Sequence, residues 1–316
     1  MTQLGQYAPP VRTIAHFSDP HFLAGGRQLY GVVDTTANLV AALAQLERSG
    51  VAPNAIVFTG DLADLAEPDA YRRLRDVVEP VAERLGSQLV WVMGNHDERR
   101  PFGSGLFDEP GLSGGRPDSA MPPRDRVYDL DGLRLIALDT SVPGYHHGEL
   151  DDSQLEWLAN ELRTPAPLGT LIALHHPPLP STIEVMAILE LQEQQRLAEV
   201  IRGTDARGIL AGHLHYQAHG MFAGVPVSVA AATCYSLDVG APVDRLSGVD
   251  GGQAFSLVNV YADQIVHSTV PLGRFAEVSG FSDTFARKIA SLSPEQRREA
   301  FSNKSSTMTV ADIENL

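Results

Sequence analysis

The sequence predicts an α/β fold, and three observations lead to it. Short apolar runs alternate with stretches of helical spacing over residues 11–96. The second half contains apolar runs joined by tight turns, of which Asp131-Gly132 is the clearest hairpin signal. Imidazole, carboxylate and amide side chains directly follow five of the apolar runs, as expected where loops gather at the carboxyl ends of strands.

The first part of the chain predicts the order β-α-β-α-β of a layered α/β domain. Its apolar runs predict strands at Val11 to Phe17, Ala55 to Phe58 and Leu89 to Met93. Its helical spacing predicts helices at Asp34 to Arg48, with Asp34 as the N-cap, and at Pro68 to Leu85.

The second half predicts a more antiparallel sheet. Strands are expected at residues 127–130, 133–138, 170–174, 208–211, 225–230, 255–261 and 264–270, and helices near 153–162 and between 174 and 208. The segment Pro101 to Arg126 is rich in glycine and proline and predicts a long loop. The segment Phe281 to Leu316 predicts a polar, helix-like tail. We therefore expect a main domain over residues 1–275 and a tail over residues 276–316.

Composition narrows the classes of function. The 316 residues carry a net charge of −15, which disfavours nucleic-acid polymers and anionic membranes as partners. The single cysteine, Cys234, allows no internal disulfide, and no apolar run approaches the ~18 residues that a membrane span needs. We therefore predict a cytoplasmic protein without a membrane span. An anionic substrate would then need a local positive charge, such as metal ions.

Five segments at predicted strand ends carry metal-ligand residues. Each alone is a weak signal, because a strand-end Asp is often a helix N-cap and a lone His is often a core residue. Five in succession favour a metal site, and nitrogen and oxygen ligands without thiolate suit Mn, Fe, Zn or Co. The segments are Asp19-Pro20-His21, Gly60-Asp61, Gly94-Asn95-His96-Asp97, His175-His176-Pro177 and Gly212-His213-Leu214-His215.

In this order, the five segments resemble the calcineurin-like metallophosphoesterase superfamily. The stretch Leu29-Tyr30-Gly31, followed by Asp34, resembles bacterial class III cyclic-nucleotide phosphodiesterases and their glycerophosphodiesterase relatives. The segment from Leu138 to Gly144, with His147-Gly148-Glu149 after it, is similar to the actinobacterial members of that branch. The segment Ala232-Thr233-Cys234-Tyr235 supports the same branch, and the resemblance extends to about Leu272.

The resemblance implies a four-layer α/β/β/α sandwich and two metal ions, with residues 1–275 as the catalytic domain. The first ion would be held by Asp19, His21, Asp61 and His215, and the second by Asp61, Asn95, His175 and His213. Asp61 would bridge the two ions, and a bridging hydroxide would be the nucleophile. Two divalent ions, two carboxylates and one hydroxide sum to about +1, which attracts a phosphodiester monoanion. The resemblance also implies a homodimer.

The remaining histidines of these segments receive other roles. His96 follows the ligand Asn95, so we expect both side chains to reach the substrate. There His96 is expected either to donate a hydrogen bond to a phosphate oxygen or to protonate the departing oxygen. Asp97 is expected either to orient His96 or to serve the turn. His176 is expected to be a buried hydrogen-bonding group and His16 a core residue. His146 and His147 lie on a loop that is expected to border the pocket.

The predicted function is hydrolysis of a cyclic nucleotide, such as 3′,5′-cyclic AMP, to the nucleoside monophosphate. A glycerophosphodiesterase or a broad phosphodiesterase would use the same ligands and stays open as an alternative. An interaction module with a catalytically silent metal site is an alternative of another class. The complete ligand set and the intact His96 argue against the silent site.

Overall fold

The computed structural model describes residues 3–109 and 118–314. Two mixed β-sheets form the centre of residues 11–272, and the strand ends that carry the polar segments belong to both sheets. None of the helices in the described ranges combines the length and apolarity that a bilayer crossing requires.

The first sheet has five strands in the order β13-β12-β1-β2-β3. The strands β1, β2 and β3 run parallel, while β12 pairs antiparallel with β1 and β13 pairs antiparallel with β12. Parallel neighbours place their carboxyl ends at one edge, which brings the loops after β1, β2 and β3 together. The strands are β1 (Arg12–Phe17), β2 (Ala55–Thr59), β3 (Gln88–Val92), β12 (Ala254–Val260) and β13 (Ile265–Pro271).

The second sheet has six strands in the order β4-β5-β6-β7-β9-β8. Its central strands β5, β6, β7 and β9 run parallel, and the edge strands β4 and β8 pair antiparallel. The strands are β4 (Arg126–Leu130), β5 (Leu133–Leu138), β6 (Thr170–Leu174), β7 (Ala206–Ala211), β8 (Ala218–Phe222) and β9 (Val225–Val229); β10 (Ser236–Leu237) and β11 (Gly248–Val249) pair separately.

The helices of this unit are α1 (Thr35–Arg48), α2 (Pro68–Leu85), α3 (Arg99–Leu106), α4 (Asp152–Leu162) and α5 (Gln194–Ile201). The Asp34 side chain caps α1 by accepting from the Ala37 amide, as predicted. A capping box closes the start of α4, where Asp151 and Gln154 satisfy each other's backbone amides.

Three apolar clusters show that the architecture has four layers. Side chains alternate along each strand, so that Ile56 and Phe58 face the α1–α2 side while Ala55 and Val57 face the second sheet. The β6 side chains alternate in the same way, and Ile172 packs on the side of α4 and α5. The order is helices, sheet, sheet, helices, which confirms the predicted α/β/β/α sandwich.

The prediction of one long loop from Pro101 to Arg126 is wrong in its first part, where α3 lies. Phe102 and Leu106 are buried one helical turn apart, and Phe102 packs edge-on against Tyr71 of α2. Gly105 lets α3 lie this close to α2, since a Cβ at position 105 would lie 2.7 Å from the Tyr71 Cβ. Gly105 is therefore required for helix packing, whereas from the sequence alone the glycines of this segment predict a loop. Residues 110–117 of the predicted loop lie outside the described residues.

Residues 3–10 and 273–314 form a second compact unit. It contains α6 (Asp283–Ser291), α7 (Pro294–Arg297), a π-helical turn at 298–302 and α8 (Val310–Glu314). A small apolar cluster of Phe285, Ala300 and Ile313 is buried within it. The predicted helix-like character of the tail agrees with these helices, and the division at residue 275 stays a prediction.

Candidate metal centre

Five ligand-type residues lie in left-handed backbone, where a side chain is unfavourable. Non-glycine residues with positive φ cost free energy unless the surrounding structure holds them, and they concentrate at functional sites. Here the tight turns aim each side chain back across the strand ends. The residues and their φ angles are Asp19 (51°), His21 (45°), Asp61 (50°), His213 (72°) and His215 (57°).

Four of the predicted residues form a buried cluster that we call the first ligand group: Asp19, His21, Asp61 and His215. One ligand atom from each lies within 4.8 Å of the others. The two Nε2 atoms of His21 and His215 lie 3.2 Å apart. His215 Nε2 also lies 3.4 Å from Asp19 Oδ1. The sequence-predicted residues are therefore brought together around one point.

The second ligand group comprises Asn95, His175 and His213 and adjoins the first through Asp61. His175 Nε2 lies 3.0 Å from Asn95 Oδ1, and the His175 and His213 rings lie 5.0 Å apart. Asp61 Oδ2 lies 3.4 Å from His175 Nε2 and equally 3.4 Å from His21 Nε2. A single carboxylate oxygen thus faces one imidazole from each group.

Hydrogen bonds fix the proton positions on three of these imidazoles. Each Nδ1 faces an oxygen that only accepts, so Nδ1 carries a proton and Nε2 is the nitrogen that can bind a metal ion. The contacts are His21 with the Asp64 carboxylate at 3.0 Å, His175 with the Thr59 carbonyl at 2.7 Å, and His215 with the Tyr235 carbonyl at 3.2 Å. The Nε2 atoms then face carboxylate and amide oxygens. These buried nitrogens and oxygens need a positive charge between them, supplied by a proton or by a metal ion, and their donor chemistry fits metal ions.

Burial and charge lead to the same conclusion. Burial and the neighbouring His175 lower the pKa of His213 to about 3, so its ring is neutral. Its buried Nε2 has no hydrogen-bond partner among the described residues, as expected of a ligand atom without its ion. Burial opposes a charge on His175, but the Asp61 carboxylate beside it raises the pKa of His175 to about 9. The buried carboxylates therefore favour a positive charge within the two ligand groups.

Gly94 lets the β3 end approach the β2 end. A Cβ at this position would collide with the backbone nitrogen and the carboxylate of Asp61. The next turn also supports Asp61, because the His96 amide donates to Asp61 Oδ1 over 2.9 Å. This leaves Oδ2 as the oxygen that faces both groups. A glycine at position 94 is thus a geometric requirement of the site.

His96 lies beside the ligands and is held by Asp64. Its Nδ1 lies 2.9 Å from the Asp64 carbonyl oxygen and 3.6 Å from the Asp64 carboxylate. The same carboxylate accepts a hydrogen bond from His21 Nδ1, so Asp64 links a predicted metal ligand to the proposed proton donor. With Nδ1 occupied, Nε2 is the His96 atom left to donate to a substrate. Sequence reasoning missed Asp64, although an acid three residues after Asp61 was available as a signal.

Asp97 has the turn role that the sequence left open, and Asp64 has the orienting position beside His96. The buried Asp97 carboxylate holds the loops after β2 and β3 in place. Its donors are the amides of Leu62, Ala63 and Gly94 and the hydroxyl of Tyr71. Asp97 thereby keeps Asp61 and Asn95 in position without lying against the His96 ring.

The other histidines differ in their contacts. His146 Nδ1 lies 2.8 Å from the Asn95 amide nitrogen, whereas His147 faces Glu149.

Both nitrogens of the buried His176 are engaged, with Thr140 Oγ1 at 2.8 Å and the His146 carbonyl at 3.2 Å. His176 is therefore the hydrogen-bonding group that was expected. His16 lies buried within β1, also as expected.

A cavity of about 480 Å³ opens beside the second ligand group, and we call it the His96 cavity. Asn95, His96 and His146 line it together with Leu65 and Tyr145. Its lining combines polar groups with apolar side chains. This is the arrangement expected of a pocket for a small organic phosphate.

The model of the calcineurin-like phosphoesterase family matches residues 12–217. The chain belongs to this family. A dimetal phosphatase from Danio rerio superposes on this phosphoesterase with a TM-score of 0.59, at 18% identity, over 84% of this chain and 98% of that chain. This structural likeness shows the shared fold.

Two relatives of this phosphoesterase are much closer in sequence. A cAMP/cGMP dual specificity phosphodiesterase of Mycobacterium tuberculosis is 49% identical, over 96% of this chain and 95% of its own length. A probable cyclic nucleotide phosphodiesterase of Rhodococcus erythropolis is 50% identical, over 86% of this chain and 88% of its own length. The predicted resemblance to the actinobacterial branch is confirmed.

Proposed function

We propose that this phosphoesterase hydrolyses 3′,5′-cyclic nucleotides, and cyclic AMP to AMP in particular, with two metal ions. The observation that carries the proposal is the position of Asp61 Oδ2, which lies 3.4 Å from one imidazole of each ligand group. A carboxylate shared in this way is the geometry expected for two neighbouring ions. The two relatives that are 49% and 50% identical, both named for cyclic nucleotides, support the substrate class.

The proposed ligands follow the two groups. Asp19, His21, Asp61 and His215 would hold the first ion, and Asp61, Asn95, His175 and His213 the second. When bound, such ions polarise the phosphate and lower the pKa of water toward ~7, which supplies a nucleophile at neutral pH. We propose Mn or Fe, with Zn or Co as further candidates, because imidazoles outnumber the carboxylates.

The protein's own residues contribute binding and proton transfer. Asn95 and His96 face the His96 cavity and would hold the phosphate there. His96 Nε2 would donate a proton to the departing O3′, and the Asp64 carbonyl 2.9 Å from Nδ1 would hold the ring in place. His146, at 2.8 Å from the Asn95 amide, would keep that amide turned toward the ligands. A cytoplasmic location and a homodimer stay predictions of the sequence.

A comparison of substrates at one metal loading tests the proposal. The Mn²⁺-loaded protein is expected to show a higher kcat/KM for 3′,5′-cyclic AMP and cyclic GMP than for 2′,3′-cyclic AMP and glycerophosphodiesters. A preference for glycerophosphodiesters would establish the alternative enzyme. Absence of turnover on every diester, with two ions bound, would establish the silent interaction module.

A further inference from the structure

Two cavities adjoin the ligand groups, and each presents an exposed tyrosine. The His96 cavity contains Tyr145, whose side chain is 62% exposed. A second cavity of about 390 Å³, which we call the Tyr30 cavity, contains Tyr30, 71% exposed, and Tyr235. It approaches the first ligand group through Tyr235, whose ring lies 4.6 Å from the His215 ring. Either cavity has room for a nucleobase.

The direction of the reaction distinguishes the two cavities. In the hydrolysis of a 3′,5′-cyclic nucleotide, the water oxygen bonds to phosphorus as the P–O3′ bond breaks, and O3′ takes up a proton. The entering and leaving oxygens lie roughly in line. The ribose is attached to O3′, so the nucleoside lies on the side of the leaving oxygen. The proton donor for that oxygen is His96, which lines only one of the two cavities.

We propose that the His96 cavity is the nucleoside subsite and that Tyr145 stacks on the nucleobase, with Leu65 as a second apolar wall. This inference rests on the proposed function. Tyr145 and Leu65 line the cavity from two different loops, after β5 and β2. Leu65 is 59% exposed, so both side chains have free apolar surface at the cavity. An aromatic face is the feature that a purine ring binds.

The loop that carries Tyr145 is held in shape before any substrate arrives. The Tyr145 amide donates to the Val142 carbonyl over 2.9 Å across Pro143 and Gly144, and Gly144 has a φ of 82°. Proline followed by a left-handed glycine is the signature of a type II turn. Farther along the loop, the Gly148 amide donates to the Glu190 carbonyl over 3.2 Å. An aromatic anchor that is already ordered loses little entropy on binding.

Stacking explains a broad choice of base. Every base has a π-face, so an aromatic platform accepts adenine and guanine alike. Loss of such a platform weakens binding by roughly 5- to 150-fold. We therefore expect Tyr145→Ala to weaken ligands with a base and to spare ligands without one.

The test measures product binding, which needs no turnover. Calorimetry on the Mn²⁺-loaded protein gives the Kd of AMP and of ribose 5-phosphate, which share the ribose phosphate and differ in the base. The variants are Tyr145→Ala, Tyr145→Phe and, as a matched exposed tyrosine of the other cavity, Tyr30→Ala. Turnover of cyclic AMP by the wild type is measured in parallel.

Tyr145→Ala is expected to raise the Kd of AMP about tenfold and to leave that of ribose 5-phosphate unchanged. Tyr145→Phe is expected to restore AMP binding, and Tyr30→Ala to keep it. Two results would overturn the subsite while the proposed function stands. In one, Tyr30→Ala no longer binds AMP more tightly than ribose 5-phosphate; in the other, Tyr145→Ala still does. A wild type that does not hydrolyse cyclic AMP would overturn the proposed function, and the subsite with it.

Discussion

The two ligand groups differ in how the fold holds them. All four residues of the first ligand group are buried and lie in left-handed backbone. In the second group, Asn95 is partly exposed, and among the described residues positive φ is not found at Asn95 or His175. Asn95 is instead held by His175 and by His146, which lies on the loop beside the cavity. The first group is fixed throughout by backbone and burial, whereas the second combines the buried His175 and His213 with an Asn95 that substrate can reach.

This difference indicates a division of work. Unfavourable backbone persists only where surrounding structure determines it, so the first group is preorganised for its ion. In the second group, Asn95 lines the His96 cavity, so it lies within reach of the substrate. We therefore expect the first ion to bind more tightly than the second, and the following variants test that expectation.

Asp61→Ala is expected to have the largest effect, because Asp61 is the residue proposed to hold both ions. The variant should lose both ions and all measurable turnover, whereas Asn95→Ala should chiefly lose the second ion. Elemental analysis of the purified variants measures the ion content per chain. Two tightly held ions in the Asp61→Ala protein would refute the shared carboxylate.

His96→Ala is expected to keep both ions and to lower kcat for cyclic AMP by roughly 10²–10⁴. A p-nitrophenyl phosphodiester should lose much less, because its leaving oxygen needs little proton assistance. Steady-state kinetics on both substrates, with ion content measured in parallel, checks the role. Loss of an ion would show that His96 is a ligand, and equal losses on both substrates would remove the proton-donor role.

The sequence could predict the candidate residues of the site because their chemistry is visible in single segments, whereas their assignment to two ions came from the resemblance and stays a prediction. Asp19, Asp61 and His213 each follow an apolar run, and the parallel strands bring those runs to one edge. Asp64 is visible as an acid three residues after Asp61, but its role could not be predicted from that segment, since its two partners lie 43 and 32 positions away along the chain. The role of Asp64 depends on the turn after β2. This turn places the Asp64 carboxylate against the His21 ring and the Asp64 carbonyl against the His96 ring.

The fold was predictable to the level of its layers and most of its strands. The helix α3 was not, because Pro101, Gly103 and Gly105 are residues that usually end helices. Their use becomes clear only with the neighbours present, when Gly105 lies against Tyr71 and Phe102 fills the space beside it. Sequence patterns report local preference, and here packing against α2 outweighs it.

Asp64→Asn is expected to have a smaller effect than loss of His96. The substitution leaves the backbone carbonyl of residue 64, which accepts from His96 Nδ1, unchanged. The side-chain amide oxygen of the variant is a weaker acceptor for His21 Nδ1 than the carboxylate is. Removal of such a supporting group typically lowers metal affinity or activity by about 10- to 100-fold. Metal titrations measure the affinity of each ion. A change confined to the second ion would contradict the link from Asp64 to the first ligand group.

Asp125→Asn is expected to change stability and spare the ligands. Asp125 Oδ1 accepts from the Asp139 amide over 2.7 Å beneath the loop that carries His146. Burial raises the pKa of Asp125 from 3.8 to about 7, so the folded protein keeps a proton that the unfolded chain has lost. The free energy of unfolding from this group therefore falls as pH rises from about 4 to 7. Denaturant unfolding across this range should show a flatter profile in the variant, and an unchanged slope would contradict the assignment.

The central claim, that the seven converging side chains form a two-metal catalytic site, is tested most directly by removal and return of the metal. A chelator strips the wild-type protein, Mn²⁺ is added back in steps, and bound Mn²⁺ and cyclic AMP turnover are measured on the same samples. We predict no turnover in the stripped protein, recovery that follows two bound ions per chain, and weaker recovery with Mg²⁺, which prefers oxygen ligands. Full turnover by the stripped protein, with no bound metal detected, would contradict the account.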